Sequence, residues 1–195
     1  ILAQWLMTGP VPFTLKGDPV LVVLTDSLPA VEGVAEEGTG YIAFEPSAMA
    51  TPAPGNSPGA SPAGTAYGIV REGAAMARGS GWTLLWKWPR ITGDSWTAAL
   101  VEVSGEPGPS PPVGLMVEGP GAALATASLF PGLPIHGGAG LNVWNARSVG
   151  VLAAHFASLT LSPELSLRDL GEILPRTRSA SLRTPLGFLV EGNLE

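Results

Sequence analysis

The stretch from Trp82 to Val103 constrains the fold more than any other part of the chain. Successive side chains of a β-strand point to opposite sides, so the tryptophans at positions 82, 86 and 88 fall on one face of an extended segment. Pro89 cannot donate a hydrogen bond to a neighbouring strand, and it ends this segment. Gly93-Asp94 then supplies turn-forming residues before the alternation resumes. The pattern predicts two antiparallel strands joined by a turn.

The indoles that share this face, Trp82, Trp86 and Trp88, predict a buried core or a subunit interface. Aromatic side chains bury a large apolar area, which makes burial the favoured interpretation. The alternative is an exposed platform on which sugars or bases stack. The two interpretations give the same face opposite roles.

Short apolar segments separated by glycine and proline make up most of the remaining chain. The strand candidates are residues 11–16, 20–24, 41–45, 66–72, 113–118, 122–130, 141–144, 149–161 and 186–190. A helix is the alternative for 122–130, whose alanines permit it, and for 149–161, whose two strand faces are both apolar. One helix is predicted, from Ser166 to Leu174, and Pro175 ends it. We therefore expect an all-β fold, mainly an antiparallel sandwich, jelly roll or barrel, with one short helix near the C-terminus.

Residues 51–65 contain no large apolar side chain and are rich in proline and glycine. Such a segment buries too little surface to offset the entropy lost on ordering. It predicts an exposed loop, with an interdomain linker as the alternative. A length of 195 residues suits one sizeable core. We expect a single β-rich domain, residues 1–195, that carries an exposed Pro/Gly-rich loop at 51–65.

Charged residues make up 13% of the chain and apolar residues 45%, and the mean hydropathy is +0.29. Because so few charged residues cannot cover the surface of a monomer, apolar surface would remain exposed. The composition therefore predicts self-association as a homodimer or a higher oligomer. The formal net charge is −6 and the basic residues are scattered, which argues against nucleic-acid binding. The longest apolar run, Val149 to Leu161, is shorter than the roughly 20 residues of a membrane helix, so no membrane insertion is expected.

Signals for catalysis are weak throughout the sequence. Gly55 to Gly59 matches the pattern G-x-S-x-G, but a nucleophile elbow needs a strand before the serine and a helix after it, whereas Ser57 lies in the predicted loop. The histidines, His136 and His155, are too few for a zinc triad without carboxylates, and His155 in an apolar run predicts a hydrogen-bonded core imidazole. The chain has no cysteine and no phosphate-binding loop or dinucleotide fingerprint. We expect no enzyme activity, no metal and no cofactor.

These features favour a non-catalytic structural and binding domain. The leading hypothesis is a spike or projection domain of a viral capsid, which self-associates and presents loops on the virion surface to a host receptor or glycan. The chain begins with Ile rather than Met, which suggests a processed product or a piece of a longer protein. Two alternatives are a carbohydrate- or peptide-binding β module of an extracellular cellular protein and a hydrolase with a loop-borne site. The residues predicted to contact a partner are Arg90, Thr92, Asp94, Asn56 and Ser57.

Overall fold

The computed structural model describes residues 22–35, 40–46, 62–91, 96–98, 100–101, 114–179 and 184–189. The chain divides into two compact units. The first unit spans residues 20–134, and the second spans residues 135–195 together with residues 1–19.

Strands and helices alternate along the first unit. In chain order they are β1 Val22–Thr25, α1 Leu28–Ala35, β2 Tyr41–Phe44, α2 Pro62–Gly79, β3 Thr83–Lys87, β4 Gly114–Val117 and α3 Pro120–Leu129. Residues 96–98 and 100–101 are helical as well. The sheet order is β1-β2-β3-β4, and each neighbouring pair runs parallel. Successive strands are therefore joined by crossovers that contain helices, as parallel pairing requires.

The second unit repeats this alternation on a smaller scale. Its elements are β5 Ile135–Gly137, a 3₁₀ turn Ala139–Leu141, α4 Ala146–Leu152, β6 Ser158–Thr160, α5 Leu167–Ser179 and β7 Leu186–Gly187. The order is β5-β6-β7, and both pairs are parallel. No helix among the described residues has the length and apolar character needed to cross a bilayer.

The predicted all-β, antiparallel fold is wrong, because the protein belongs to the α/β class and the strands pair in parallel. The segment 66–72, predicted as a strand, lies within α2. Two of its side chains, Ala66 and Val70, are buried, and the next buried positions of this face are Ala74 and Ala77. The spacing of three or four residues fits a helix and not a strand. Alanine is also the strongest helix former, and here that preference prevails.

Three other predicted strands have different structures. The second arm of the tryptophan hairpin is helical at 96–98 and 100–101, so the hairpin is wrong. Residues 122–130 fall mostly in α3, the alternative that their alanines allowed. The apolar run 149–161 contains the end of α4, a turn and β6, because the side chain of Asn145 accepts a hydrogen bond from the Ser148 amide at 2.9 Å and starts a helix upstream.

Of the predicted loop at 51–65, the structure describes only residues 62–65. These residues are not a loop, because they form the first turn of α2, which begins at Pro62. Proline suits the first turn of a helix, since its missing N–H has no partner there in any case. Residues 51–61 lie outside the described part of the chain. The predicted C-terminal helix exists, and it continues through Pro175 to Ser179.

The two faces of the sheet formed by β1–β4 have different surroundings. Phe44, Leu84 and Trp86 lie on the face that α2 covers. The approach is close at Gly73 of α2, where an added Cβ would stand 3.2 Å from the Leu84 side chain and 3.4 Å from that of Phe44. The opposite face carries a separate buried cluster formed by Ala43, Leu85 and Met116. Alternation along β2 and β3 places the next residues on that second face, Glu45 and Lys87, at the carboxyl ends of the strands.

Candidate functional site

Three charged residues stand at the carboxyl ends of three neighbouring strands. Glu45 directly follows β2, Lys87 is the last residue of β3 and Glu118 directly follows β4. The last paired positions of β2 and β3 are Phe44 and Trp86, so Glu45 and Lys87 are level with each other one residue further on. Because the strands are parallel, their carboxyl ends meet at one edge of the sheet.

The Lys87 ammonium is the centre of this cluster. Its Nζ forms an ion pair and a hydrogen bond with Glu45 Oε2, and it lies 3.6 Å from Glu118 Oε1. The side chains of Lys87 and Glu118 are 16% and 9% exposed. The Glu45 side chain is 33% exposed, so it is the member of the cluster that solvent reaches most easily.

In this cluster one ammonium faces two carboxylates. Partly buried charges lose hydration, and they are retained only where partners replace it. The carboxylates can accept hydrogen bonds from hydroxyl or ammonium groups of a ligand, and the ammonium can donate to an oxygen. The site therefore has the chemistry to bind and orient a small polar molecule.

The face covered by helices carries an aromatic cluster of Tyr67, Trp86, Trp88, Trp96 and Phe130. The Trp86 and Trp88 rings are 5.9 Å apart in an edge-to-face arrangement, and Tyr67 lies 5.4 Å from Trp86. The Nε1 atoms of three of these tryptophans, at positions 86, 88 and 96, are buried without a hydrogen-bond partner. Edge-to-face packing allows such N–H groups to approach neighbouring ring faces, a weak but favourable contact.

The indoles predicted as core or interface are buried within the single chain. The exposed fractions are 5% for Trp82 and 0% for Trp86 and Trp88. These values are those of core side chains. No ring face of Trp86 or Trp88 is available to a sugar or a base in this chain.

Of the residues predicted to contact a partner, the structure describes only Arg90. It is exposed and lies three residues after Lys87. Thr92, Asp94, Asn56 and Ser57 lie outside the described residues. Contact of Arg90 with a partner stays a prediction.

One histidine differs from the sequence-based interpretation: His155 is exposed in the turn after α4 and is not a core imidazole. His136 is the central residue of β5, where its Nδ1 is 2.8 Å from Ser158 Oγ on β6. Burial lowers the pKa of His136 from its ordinary value of 6.5.

Sequence reasoning missed Glu45, Lys87 and Glu118, although a signal was present. Each of them ends an apolar run and lies within two residues of a proline. In an antiparallel sheet, the ends of successive strands alternate between the two edges, so charged residues at those ends are not expected to meet. In a parallel sheet, the same pattern brings the three side chains together.

Among the described residues, no group of three or more His, Asp or Glu side chains could hold a metal ion. Comparison of the chain with protein-family models, with curated proteins and with solved structures found no match.

Proposed function

We propose that the first unit binds a small polar molecule at the carboxyl ends of β2, β3 and β4, with Glu45 and Lys87 in contact with it. The observation that carries this proposal is the ion cluster in which Lys87 pairs with Glu45 and Glu118. Glu118 is the more buried carboxylate and holds the ammonium in place. Glu45 is the more exposed carboxylate and can exchange its hydrogen bond for one to a ligand.

The position in the fold supports the proposal. Parallel α/β sheets bind ligands at the carboxyl ends of their strands, where the loops that follow each strand surround a shared space. Lys87 and Glu45 lie at that edge, on the face opposite α2. A polar cluster is costly in a sheet core, so its presence at this edge favours a binding role over a purely structural one.

The carboxylates of the cluster indicate the ligand class. Because carboxylate oxygens accept hydrogen bonds, the site favours molecules that carry several hydrogen-bond donors, such as polyols and amines, over carboxylic acids. A sugar falls in the first group, so the carbohydrate-binding alternative stays a prediction. The capsid attachment role also stays a prediction, and the exposed Arg90 is the described residue that bears on it.

A thermal-shift screen followed by calorimetry on the full chain tests the proposal. The probes are sorbitol and glucose as polyols, putrescine and spermidine as amines, and succinate and citrate as acids. We expect a polyol or an amine to raise the melting temperature, and Glu45→Gln or Lys87→Met to weaken its binding at least tenfold.

The matched control is an ion pair in the second unit. Arg168 and Glu172 lie one turn apart on α5, 3.8 Å from each other, and both are exposed. Glu172→Gln should leave binding unchanged. The proposal is wrong if no polyol or amine binds, or if binding is the same in the Glu45 and Lys87 variants as in the wild type.

A further inference from the structure

We propose that Ser158 is a nucleophile activated by His136 and that this pair hydrolyses carboxylic esters. The site lies in the second unit and shares no residue with the ligand site of the first. Its success or failure is therefore independent of the function proposed above.

The geometry places the two groups as a nucleophile and its base. His136 on β5 and Ser158 on β6 are directly paired in the parallel register, so their side chains leave the sheet on the same face. The distance from Nδ1 to Oγ is 2.8 Å, within the range for proton transfer. Both residues are half-buried, so the pair is shielded but not sealed from solvent.

The two faces of this small sheet differ in their packing. Gly137 lies on the face opposite the His136–Ser158 pair. A Cβ added there would collide with the Leu141 side chain and stand 2.9 Å from that of Leu159, so that face is tightly filled. The face with Ser158 continues with Thr160, which is paired with Gly187. Among the described residues, a Cβ added at Gly187 would have Thr160 Oγ1, at 4.0 Å, as its one neighbour within 4 Å, so this face is filled less tightly than the other.

The protonation state of His136 suits a base. Burial holds the pKa of His136 below its ordinary value, so the imidazole is neutral at pH 7. A neutral imidazole with its proton on Nε2 accepts the Ser158 hydroxyl proton at Nδ1. A charged imidazolium cannot do so.

The reaction conserves atoms and charge in two steps. Ser158 Oγ forms a bond to the ester carbonyl carbon while its proton moves to His136 Nδ1. The ester C–O bond then breaks, and the leaving alkoxide takes that proton as an alcohol. Water attacks the acyl-serine in the same way, so that the carboxylic acid is released and Ser158 is restored.

The first test uses a biotin-linked fluorophosphonate, which reacts with activated serines, and p-nitrophenyl acetate on the full chain. We expect the wild type to be labelled and to release p-nitrophenol, and Ser158→Ala and His136→Gln to lose at least tenfold in both assays. Because the pKa of His136 is lowered, labelling should fall only when the pH drops below the ordinary histidine pKa of 6.5. Ser148, half-buried and 3.3 Å from Asn145 Oδ1, gives the control Ser148→Ala, which should keep full labelling.

A second test does not depend on the serine chemistry. The chain has no cysteine, so Ser158→Cys carries the only thiol. Next to His136 this thiol should react with iodoacetamide at least tenfold faster at pH 6 than the thiol of Ser148→Cys, and adding His136→Gln should abolish the difference. Equal rates in the two cysteine variants, or labelling of Ser158→Ala at the wild-type level, would show that the pair is only a hydrogen bond between strands.

Discussion

The ammonium of Lys87 and the carboxylate of Glu45 form an ion pair one position beyond the last paired residues of β2 and β3. The pairing of the main chains ends at Phe44 and Trp86, and the side chains continue the contact between the strands. Glu118 reaches the same ammonium from the end of β4. One lysine therefore links the ends of three strands.

Replacing Lys87 by Met should lower the free energy of unfolding by about 1–3 kcal/mol, because the largely buried Glu118 loses its ammonium partner. Glu45→Gln should cost about 1 kcal/mol or less, since Glu45 is more exposed and the pair is screened by water. Urea unfolding of both variants and of the double variant measures the effect. The double variant should lose less than the sum of the two single losses, and full additivity would contradict the shared cluster.

Replacing Gly137 by Ala should destabilise the protein by roughly 1–3 kcal/mol, because the new methyl group collides with Leu141 and crowds the fully buried Leu159. Gly150 in α4 is the control, since an added Cβ there meets nothing within 4 Å. Gly150→Ala should stabilise the helix by about 0.5–1 kcal/mol. Thermal unfolding followed by far-ultraviolet circular dichroism compares the two, and equal effects would rule out the close packing described at Gly137.

Replacing Trp86 by Ala should cost roughly 3–5 kcal/mol, because this side chain is fully buried among Tyr67, Trp88 and Phe130. Trp144, which is 41% exposed, provides the comparison. Trp144→Ala should cost about 1 kcal/mol or less. Urea unfolding measures both, and a loss below 1 kcal/mol for Trp86→Ala would place that indole outside the core.

The start of α5 predicts a dependence of stability on pH. Asp169 Oδ2 accepts hydrogen bonds from the Ser166 hydroxyl at 2.6 Å and from the Ser166 amide at 2.9 Å. These bonds hold the pKa of Asp169 below its ordinary value of 3.8. The charged carboxylate thus stabilises the folded state above the ordinary pKa, and this stabilisation disappears as the pH falls through the lowered value.

The expected result is a difference in melting temperature between wild type and Asp169→Asn that is constant near neutral pH and shrinks below about pH 4. The Ser166 Oγ accepts a hydrogen bond from the Asp169 amide at 3.2 Å and so caps α5. Ser166→Ala should therefore cost about 1 kcal/mol and should weaken the same pH dependence. A difference that grows on acidification would have the wrong sign for this cap.

Self-association, predicted from the composition, stays a prediction. Several apolar side chains are exposed, including Val22 and Leu24 on β1 at 44% and 51%. Light scattering over a concentration series should give the mass of a dimer or a higher oligomer. A monomer throughout the micromolar range would contradict it.

The sequence predicted individual strands better than their arrangement. Tyr41 to Glu45 and Val113 to Glu118 were predicted almost as they occur, because short apolar runs bounded by Gly and Pro are typical of buried strands. The helix α2 was missed, and α3 was predicted only as an alternative, because both are rich in Ala and Gly, which give little contrast between buried and exposed positions.

The site could not be predicted without the strand direction. A strand's own residues do not state whether its neighbour is parallel, because that depends on the connection between them. The antiparallel fold predicted from the sequence gives no reason to bring Lys87 and Glu118 together, because strand ends alternate between the two edges of such a sheet. The same residues lie 3.6 Å apart when the connections are helical.

The described tryptophans differ in burial between the two units. Trp82, Trp86 and Trp88 are buried in the first unit, whereas Trp144 of the second is partly exposed. Emission from the buried indoles should lie at shorter wavelengths than emission from Trp144. The edge-to-face rings of Trp86 and Trp88, 5.9 Å apart, are close enough for their electronic transitions to couple. The resulting pair of circular dichroism bands would disappear when the first unit loses its packing, so its unfolding can be followed in the unmodified chain.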